Sequence, residues 1–441
     1  MSVVKQVSKG LEDVFGEKAD DLAKETGFIK RVREVTGSWF AKTLVFGWLI
    51  NPMATLEELT QTGASLGTSI SPQALDQRFT EESCKFMKAM VDEAIKQTMA
   101  SDAVAIPLLQ RFKGVYLLDS TVITLPDELA DIWEGCGGSG NASNSAVKVE
   151  VGLDALTGKL IGPFMENGRQ QDRGSQLQWT ELPEGALRLA DLGYWGLDKL
   201  GDLTEKKVHW LMRINSQVHL TDSEGQKWDI VDYAKKIEKN VEQIDEYVLL
   251  GARHRLLVRL IGHRVPTEIA AERKRKIRQT AKSNGKQPSQ RLLTLAEWTF
   301  FVTDLSPEQL SVDESLVLAR LRWQIELLFK LWKSHGHLDK SVSANESRIL
   351  CELYAKLLAM IVQHWLLLTS CWGFPDRSFF KAAKTVRQQA FSIMIAIGHS
   401  SALLQSLSRL QSTLQHGCRI NKSRKTRRTF QLLLQFDATP S

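Results

Sequence analysis

The run Gly114-Val115-Tyr116-Leu117-Leu118-Asp119-Ser120-Thr121-Val122-Ile123 constrains this chain more than any other. Its apolar and β-branched residues read as a buried strand, interrupted by Asp119. A carboxylate inside an apolar strand is costly unless it is paired, hydrogen-bonded or bound to a metal. The fold must therefore bring a partner to that position. Leu187-Arg188-Leu189-Ala190-Asp191 repeats the arrangement, a short apolar strand ending in an acid. One strand-end aspartate is most often a cap or turn residue. Two of them flanking a β-meander ask for a better explanation.

The meander lies between them. Val147 to Leu153 alternates with period two, Thr157-Gly158 marks a turn, and Leu160 to Met165 returns. A polar helical stretch from about Asp172 to Glu181 precedes the second acid strand. Upstream, residues 1 to about 108 read as helical, with apolar residues at helical spacing near Leu56–Leu59 and Phe86–Val91. Ser71-Pro72 reads as an N-cap followed by proline at the first position of a helix reaching Phe79. With the Gly-containing segment before it, this is either a DNA-reading helix-turn-helix or an ordinary helical hairpin.

Residues from about 205 to 305 form a second β-rich stretch, with strands expected at His209–Ile214, Arg255–Ile261 and Trp298–Thr303. Between the last two lies a basic segment with Arg273, Lys274, Arg275, Lys276, Arg278, Lys282, Lys286 and Arg291. Such a segment is usually a solvated loop; in a DNA enzyme it would track phosphates. From Val312 to about residue 415 the chain is helical again. A second basic run, Arg419 to Arg428, reads as a DNA contact or a simple tail.

The helix around residues 321–333 places Arg322, Glu326, Lys330 and Lys333 on one stripe, with strongly apolar residues elsewhere. That suits a buried helix presenting one face to a cleft, or a solvated stripe of i,i+4 ion pairs. Taken together, Asp119, Asp191 and Glu326 suit two divalent cations, Mg²⁺ or Mn²⁺, which prefer carboxylate oxygens. Paired ions about 3.5–4 Å apart serve phosphodiester chemistry, and the flanking Arg and Lys would neutralise phosphates.

Bulk properties exclude other classes. The 441 residues are 43% hydrophobic and 24% charged, which is globular composition with room for two to four domains. A net charge of +6 is too mild to identify nucleic acid as a partner. Cys84, Cys136, Cys351, Cys371 and Cys418 show no CxxC spacing, so neither a disulfide framework nor a zinc site is expected. A reducing cytoplasm fits that usage. Met1 to Asp20 carries charges throughout and does not read as a secretory signal. Leu353 to Trp372 is the most apolar stretch, but Lys356, Gln363 and His364 make it a core helix rather than a membrane span. The histidines form no HExxH pair, and His335 and His337 are assigned nothing.

The order strand-Asp119, meander, strand-Asp191, insertion, helix-Glu326 resembles the DDE transposases of the insertion sequence 4 family. Their signature is Tyr, two residues, Arg, three residues, Glu, six residues, Lys. Arg322, Glu326 and Lys333 stand at that spacing, while Ala319 occupies the tyrosine position. Leu118-Asp119-Ser120-Thr121 and Asp191-Leu192-Gly193-Tyr194 look like the first and second acid motifs. The resemblance covers about residues 112 to 370. It implies an α/β fold: a ribonuclease H-like catalytic core interrupted by a mainly β insertion, with helical N- and C-terminal regions. The implied boundaries are a DNA-end-binding domain at 1–110, core at 111–204 and 309–375, insertion at 205–308, and a C-terminal helical region at 376–441. The gap of 326 − 191 = 135 residues has room for that insertion.

By the same resemblance, Asp119, Asp191 and Glu326 are the catalytic metal-binding acids. Arg322, Lys330 and Lys333 contact DNA. Trp298 stacks a base flipped from the DNA end, against the alternative of a core tryptophan on an alternating strand. The tyrosine replaced by Ala319 is implied to help hold DNA. The implied enzyme cuts double-stranded DNA at the terminal inverted repeats of its own element and joins them to target DNA. It would do so by cut-and-paste, as a homodimer on DNA, in a prokaryotic cytoplasm at the nucleoid and away from membranes. The rival readings are a metal-dependent nuclease or resolvase without strand transfer, and a catalytically impaired DNA-binding remnant. A phosphatase with a nucleophilic aspartate is a poor third, because Asp119-Ser120-Thr121 lacks the second acid two residues on.

Overall fold

A computed structural model describes residues 2–31, 34–137, 143–222, 224–341, 343–374, 376–420 and 429–436. Of the C-terminal basic run only Arg419 falls among them; Lys422, Arg424, Lys425, Arg427 and Arg428 lie outside the described residues. The strands are β1 (Val115–Leu125), β2 (Ser145–Asp154), β3 (Leu160–Asn167), β4 (Leu187–Ala190) and β5 (His209–Arg213). They continue with β6 (Leu220–Thr221), β7 (Lys227–Trp228), β8 (Gln243–Leu250), β9 (Leu256–Arg264) and β10 (Trp298–Thr303). The chain is thus mixed α/β, divided into two compact units.

The first unit takes Met1–Ala105, Ser120–Gln170 and Gln324–Thr426. Its centre is the helix Glu346–Leu368, buried along nearly its whole length and packed against the helices Gly37–Ile50 and Glu81–Lys96. This helix is long and apolar enough to cross a membrane by composition alone, but its apolar window is wholly covered by protein. Its polar residues explain how it sits there. Lys356, 1% exposed, pairs with Glu352 at 2.6 Å and donates to the carbonyls of His337 and Lys340 at 3.2 and 2.8 Å. A buried ammonium is tolerated because all these acceptors compensate for lost water. His364 bonds the Gly158 carbonyl through Nε2 at 2.7 Å. Gly158 has a φ of +72° at the turn between β2 and β3, and a Cβ there would stand 2.5 Å from Leu368.

In this unit β2 and β3 pair antiparallel from Val147↔Asn167 to Leu153↔Leu160, with a bulge between Glu150 and Gly152. In the sheet order β1 follows β2, as β3-β2-β1. The N-terminal helices begin at side-chain caps: Thr55 and Glu58 form a capping box, as do Thr80 and Ser83. Ser71 caps as expected, with Pro72 at the first helical position, but that helix is short, Pro72–Asp76.

The second unit takes Ile106–Asp119, Gln171–Trp323 and Arg427–Ser441. Here the first half of β1 pairs in parallel with β4, and β4 in parallel with β5. β5 then pairs antiparallel with β10, and the order continues β10-β9-β8-β6-β7. β5, placed by sequence with the insertion, therefore extends the parallel set by its pairing. The basic segment differs from its reading as a loop. Residues Thr267–Ser283 form a helix, because Ala, Glu, Arg, Lys and Gln all favour one and Ala270 anchors its inner face. In β9, Arg259 is 1% exposed and grips Asp245 with two bonds of 2.5 and 2.7 Å while donating to the Leu310 carbonyl.

Burial pushes His364 down to about 4, although its bond to the Gly158 carbonyl opposes the shift. The fold holds it neutral, whereas the unfolded chain protonates it near the ordinary value of 6.5. Its contribution to stability is therefore present above pH 6.5 and declines as pH falls toward 4. Urea denaturation between those limits should show a wild-type loss approaching about 1.4 kcal/mol per pH unit. That slope should flatten in His364→Gln; equal slopes in both proteins would contradict this.

Candidate active site

The register of β1 and β4 runs Val115↔Leu187, Tyr116↔Arg188, Leu117↔Leu189, Leu118↔Ala190. Asp119 is the next residue of β1, and Asp191 directly follows the end of β4. Neighbouring strands lie about 4.8 Å apart, so a parallel register that ends in step delivers the two acids to one level. The carboxyl ends of parallel strands are where α/β sheets place their ligands.

Each aspartate is held differently. Asp119 is anchored by Leu117 and Leu118, both buried, and its carboxylate is 15% exposed. Its Oδ2 accepts from Arg322 Nη1 at 3.0 Å. This supplies the partner that the interrupted apolar run required. Asp191 leaves β4 and caps the short turn Leu192–Tyr194, accepting from the Leu192 backbone at 2.7 Å, with its side chain exposed. Gly193 in that turn passes so close to Asp172 that a Cβ would stand 2.2 Å from the Asp172 carboxylate.

Arg322 joins two helices, Val312–Leu321 and Trp323–Gly336, in a nearly helical backbone conformation. The first helix is fixed by a capping box of Ser311 and Glu314. Glu314 also pairs with Arg111 at 2.7 Å, with both side chains under 10% exposed. Ala319, in the signature tyrosine position, sits half-buried on this helix.

Sequence reasoning missed Arg188 as a contributor. It is 1% exposed on β4, donates to Gln178 Oε1, and lies 5.9 Å from the centre of the Tyr194 ring. Gln178 in turn donates to the Tyr194 carbonyl at 3.1 Å. Arg188 and Gln178 thus brace the turn that Asp191 caps. Burial pushes the Arg188 guanidinium down to about 10, with Tyr194 opposing the shift. The signal was present: a lone arginine in the apolar strand Leu-Arg-Leu-Ala.

In the other unit, the helix Trp323–Gly336 buries Ile325, Leu328, Phe329, Leu331 and Trp332. Its remaining stripe carries half-buried Glu326, exposed Lys330 and half-buried Lys333. Lys333 Nζ donates to the Val122 carbonyl of β1 at 2.8 Å. Burial pushes its ammonium below the usual lysine value, against the pull of Asp339. Among the described residues, no three His, Cys, Asp or Glu side chains gather into a group that could hold a metal ion.

Trp298 is 3% exposed. Phe300 stacks on it at 5.5 Å between ring centres, and the Arg264 guanidinium lies 4.4 Å from its ring. This is the placement of a core tryptophan; a base could reach the ring only after these neighbours moved.

Comparison with known proteins shows the family. The family described as Transposase DDE domain matches residues 110–362, more than half of the chain. The chain belongs to the DDE transposase family. It is 27% identical to the transposase of insertion sequence element IS231F from Bacillus thuringiensis subsp. israelensis, over 95% of this chain and 92% of that protein. Identity to the IS1151 transposase of Clostridium perfringens is 27% over 83% of this chain and 81% of the relative. For the IS421 transposase of Escherichia coli it is 25%, over 82% and 93%. As a transposase, the protein is a DNA-cleaving and DNA-joining enzyme. The matched segment contains both aspartates, Arg322, Glu326, Lys330 and Lys333.

The contact between Asp119 and Arg322 should appear as energetic coupling. Urea denaturation of Asp119→Asn, Arg322→Ala and the double variant should give a coupling of about 1 kcal/mol. Strict additivity would contradict a working pair.

Proposed function

We propose that this transposase uses Asp119, Asp191 and Glu326 to hold divalent magnesium or manganese, two ions for the reaction, and moves its element by cut-and-paste. What supports this reading most directly is the β1–β4 register, which delivers two aspartates in step at the ends of parallel strands. The donor set fits the metal: carboxylate oxygens are the hard ligands these ions prefer. The bond from Arg322 indicates that the Asp119 carboxylate already sits where positive charge is accommodated. When bound, the ions would supply Lewis acidity and a more nucleophilic water at neutral pH.

The chain's own groups do the rest. Asp119 is carried on β1, and Asp191 directly follows β4 as the cap of a braced turn, which limits their movement during the reaction. Arg322, Lys330 and Lys333 offer cations to the phosphates flanking the cut. In the first step a water oxygen bonds to phosphorus at the element's end, and the 3′ oxygen leaves as a hydroxyl once protonated. In the second, that 3′-hydroxyl gives up its proton as its oxygen bonds to a phosphorus of the target or the opposite strand, and the 3′ oxygen of the attacked strand leaves and is protonated. The substrates are the terminal inverted repeats of the element and a double-stranded target. Two ends have to be joined, so the working form is a homodimer on DNA, acting in the cytoplasm at the nucleoid. Trp298 serves in the core, and its burial favours that role over base stacking.

Purified protein with Mg²⁺ or Mn²⁺, a DNA fragment carrying the flanks of its own gene, and a plasmid target provides the test. Wild type should cut the flanks and join them to the plasmid. Glu326→Gln should lose both activities by roughly 10³-fold or more. Cutting without joining would favour a nuclease, and specific binding without cutting would favour an impaired remnant; either result would overturn this proposal.

A further inference from the structure

The basic helix Thr267–Ser283 divides its cations between two jobs. Its inner face is fastened to the sheet. Ala270 is buried, and Arg273 donates to the Trp298 carbonyl at 3.0 Å and to Thr299 Oγ1 at 3.1 and 3.2 Å. Lys274 pairs with Glu297 at 2.5 Å. On the flank, Lys276 is satisfied by Glu272 at 2.8 Å. These residues carry charge, but their charge is used within the fold.

The outer face is different. At about 100° per residue, Arg275, Arg278 and Lys282 fall within about 60° of one another and roughly opposite Arg273 and Ile277. All three are exposed. Arg278 and Lys282 make no side-chain hydrogen bond or ion pair among the described residues, and Arg275 has only a longer-range attraction to Glu272. Lys286, just beyond the helix, is exposed as well, and no acidic residue occurs from Arg273 to Lys286. At about 1.5 Å per residue, positions 275 to 282 span roughly 10 Å. That length faces about three phosphates of one strand, spaced about 3.4 Å along the duplex axis.

We infer that Arg275, Arg278 and Lys282 form a phosphate-contacting stripe that binds the backbone of double-stranded DNA without reading its sequence. The inference rests on the DNA chemistry proposed above, and it assigns that contact to one helix face. Charge complementarity selects the occupant: an unpaired row of cations, with the neighbouring Arg273, Lys274 and Lys276 already engaged within the fold, fits a polyanion of regular spacing. Arginine and lysine both serve there, since a phosphate contact needs a positive charge more than a particular geometry.

The experiment measures affinity for a short duplex of arbitrary sequence between about 50 and 200 mM salt. Removing three phosphate contacts should reduce the slope of log K against log salt by about two to three. The variant Arg275→Gln/Arg278→Gln/Lys282→Gln should therefore bind roughly tenfold or more weakly at low salt, with a shallower slope. Lys235→Gln/Lys236→Gln/Lys239→Gln removes as much exposed charge elsewhere and should keep the wild-type slope. Arg275→Lys/Arg278→Lys should also keep it, which separates charge from folding damage. An unchanged slope in the first variant, or an equal loss in the Lys235 set, would overturn the stripe. Metal-dependent cutting of the element's flanks by the same samples separates the two proposals. Intact cutting with an unchanged slope sinks only the stripe, whereas wild type unable to bind or cut DNA sinks the reading beneath it.

Discussion

The parallel pairing of β1 with β4 is the constraint on which the candidate site depends. A strand can carry an acid at any position, but only a register that runs in step places two acids side by side. Val115↔Leu187 through Leu118↔Ala190 sets that register, and each of these residues is buried. Slipping it by one residue would turn every side chain to the opposite covered face, breaking the fitted packing there and taking Arg188 away from Gln178. Hydrophobic packing thus fixes the placement of Asp119 and Asp191 at low risk of drift. Arg322 then meets the half-buried carboxylate, and Arg188 with Gln178 braces the turn that the exposed one caps.

Charge in this chain divides in the same way between structure and function. Arg188, Arg259 and Lys356 are each about 1% exposed and are committed to internal acceptors. Such groups are retained because removing one leaves a buried acceptor or acid without its partner. The net charge of +6 therefore says little about DNA. What matters is which cations remain unspent at the surface, and this can be read only once the internal pairs are known. The helix Thr267–Ser283 illustrates the point, with Arg273 and Lys274 facing the sheet and Arg278 and Lys282 facing solvent.

Much of this was legible in the sequence because the relevant signals are local. The apolar run ending in Leu118, the alternation of Val147–Leu153 and the Thr157-Gly158 turn each report on adjacent residues, and the strands lie where they indicate. Lys356, Gln363 and His364 correctly marked a core helix: all three are buried, and Lys356 and His364 meet backbone carbonyls within the fold. What escaped depended on pairing across long separations. The parallel partnership of β5 with β4 and the bracing role of Arg188 rest on contacts that no local pattern encodes, while the alternation around Trp298 left core packing and base stacking both open. The basic helix was missed for another reason. Its dense charge reads as solvation, yet the same residues have high helix propensity.

The central claim is that the carboxylates of Asp119 and Asp191 are direct metal ligands. Replacing each in turn by cysteine tests it, because a thiolate is a softer ligand that discriminates against magnesium and accepts manganese more readily. Cleavage by Asp119→Cys and by Asp191→Cys should be lost in Mg²⁺ and restored at least in part by Mn²⁺, while the corresponding alanine variants stay inactive in both. Cysteine variants that cut equally well in Mg²⁺, or alanine variants rescued to the same extent by Mn²⁺, would contradict the account.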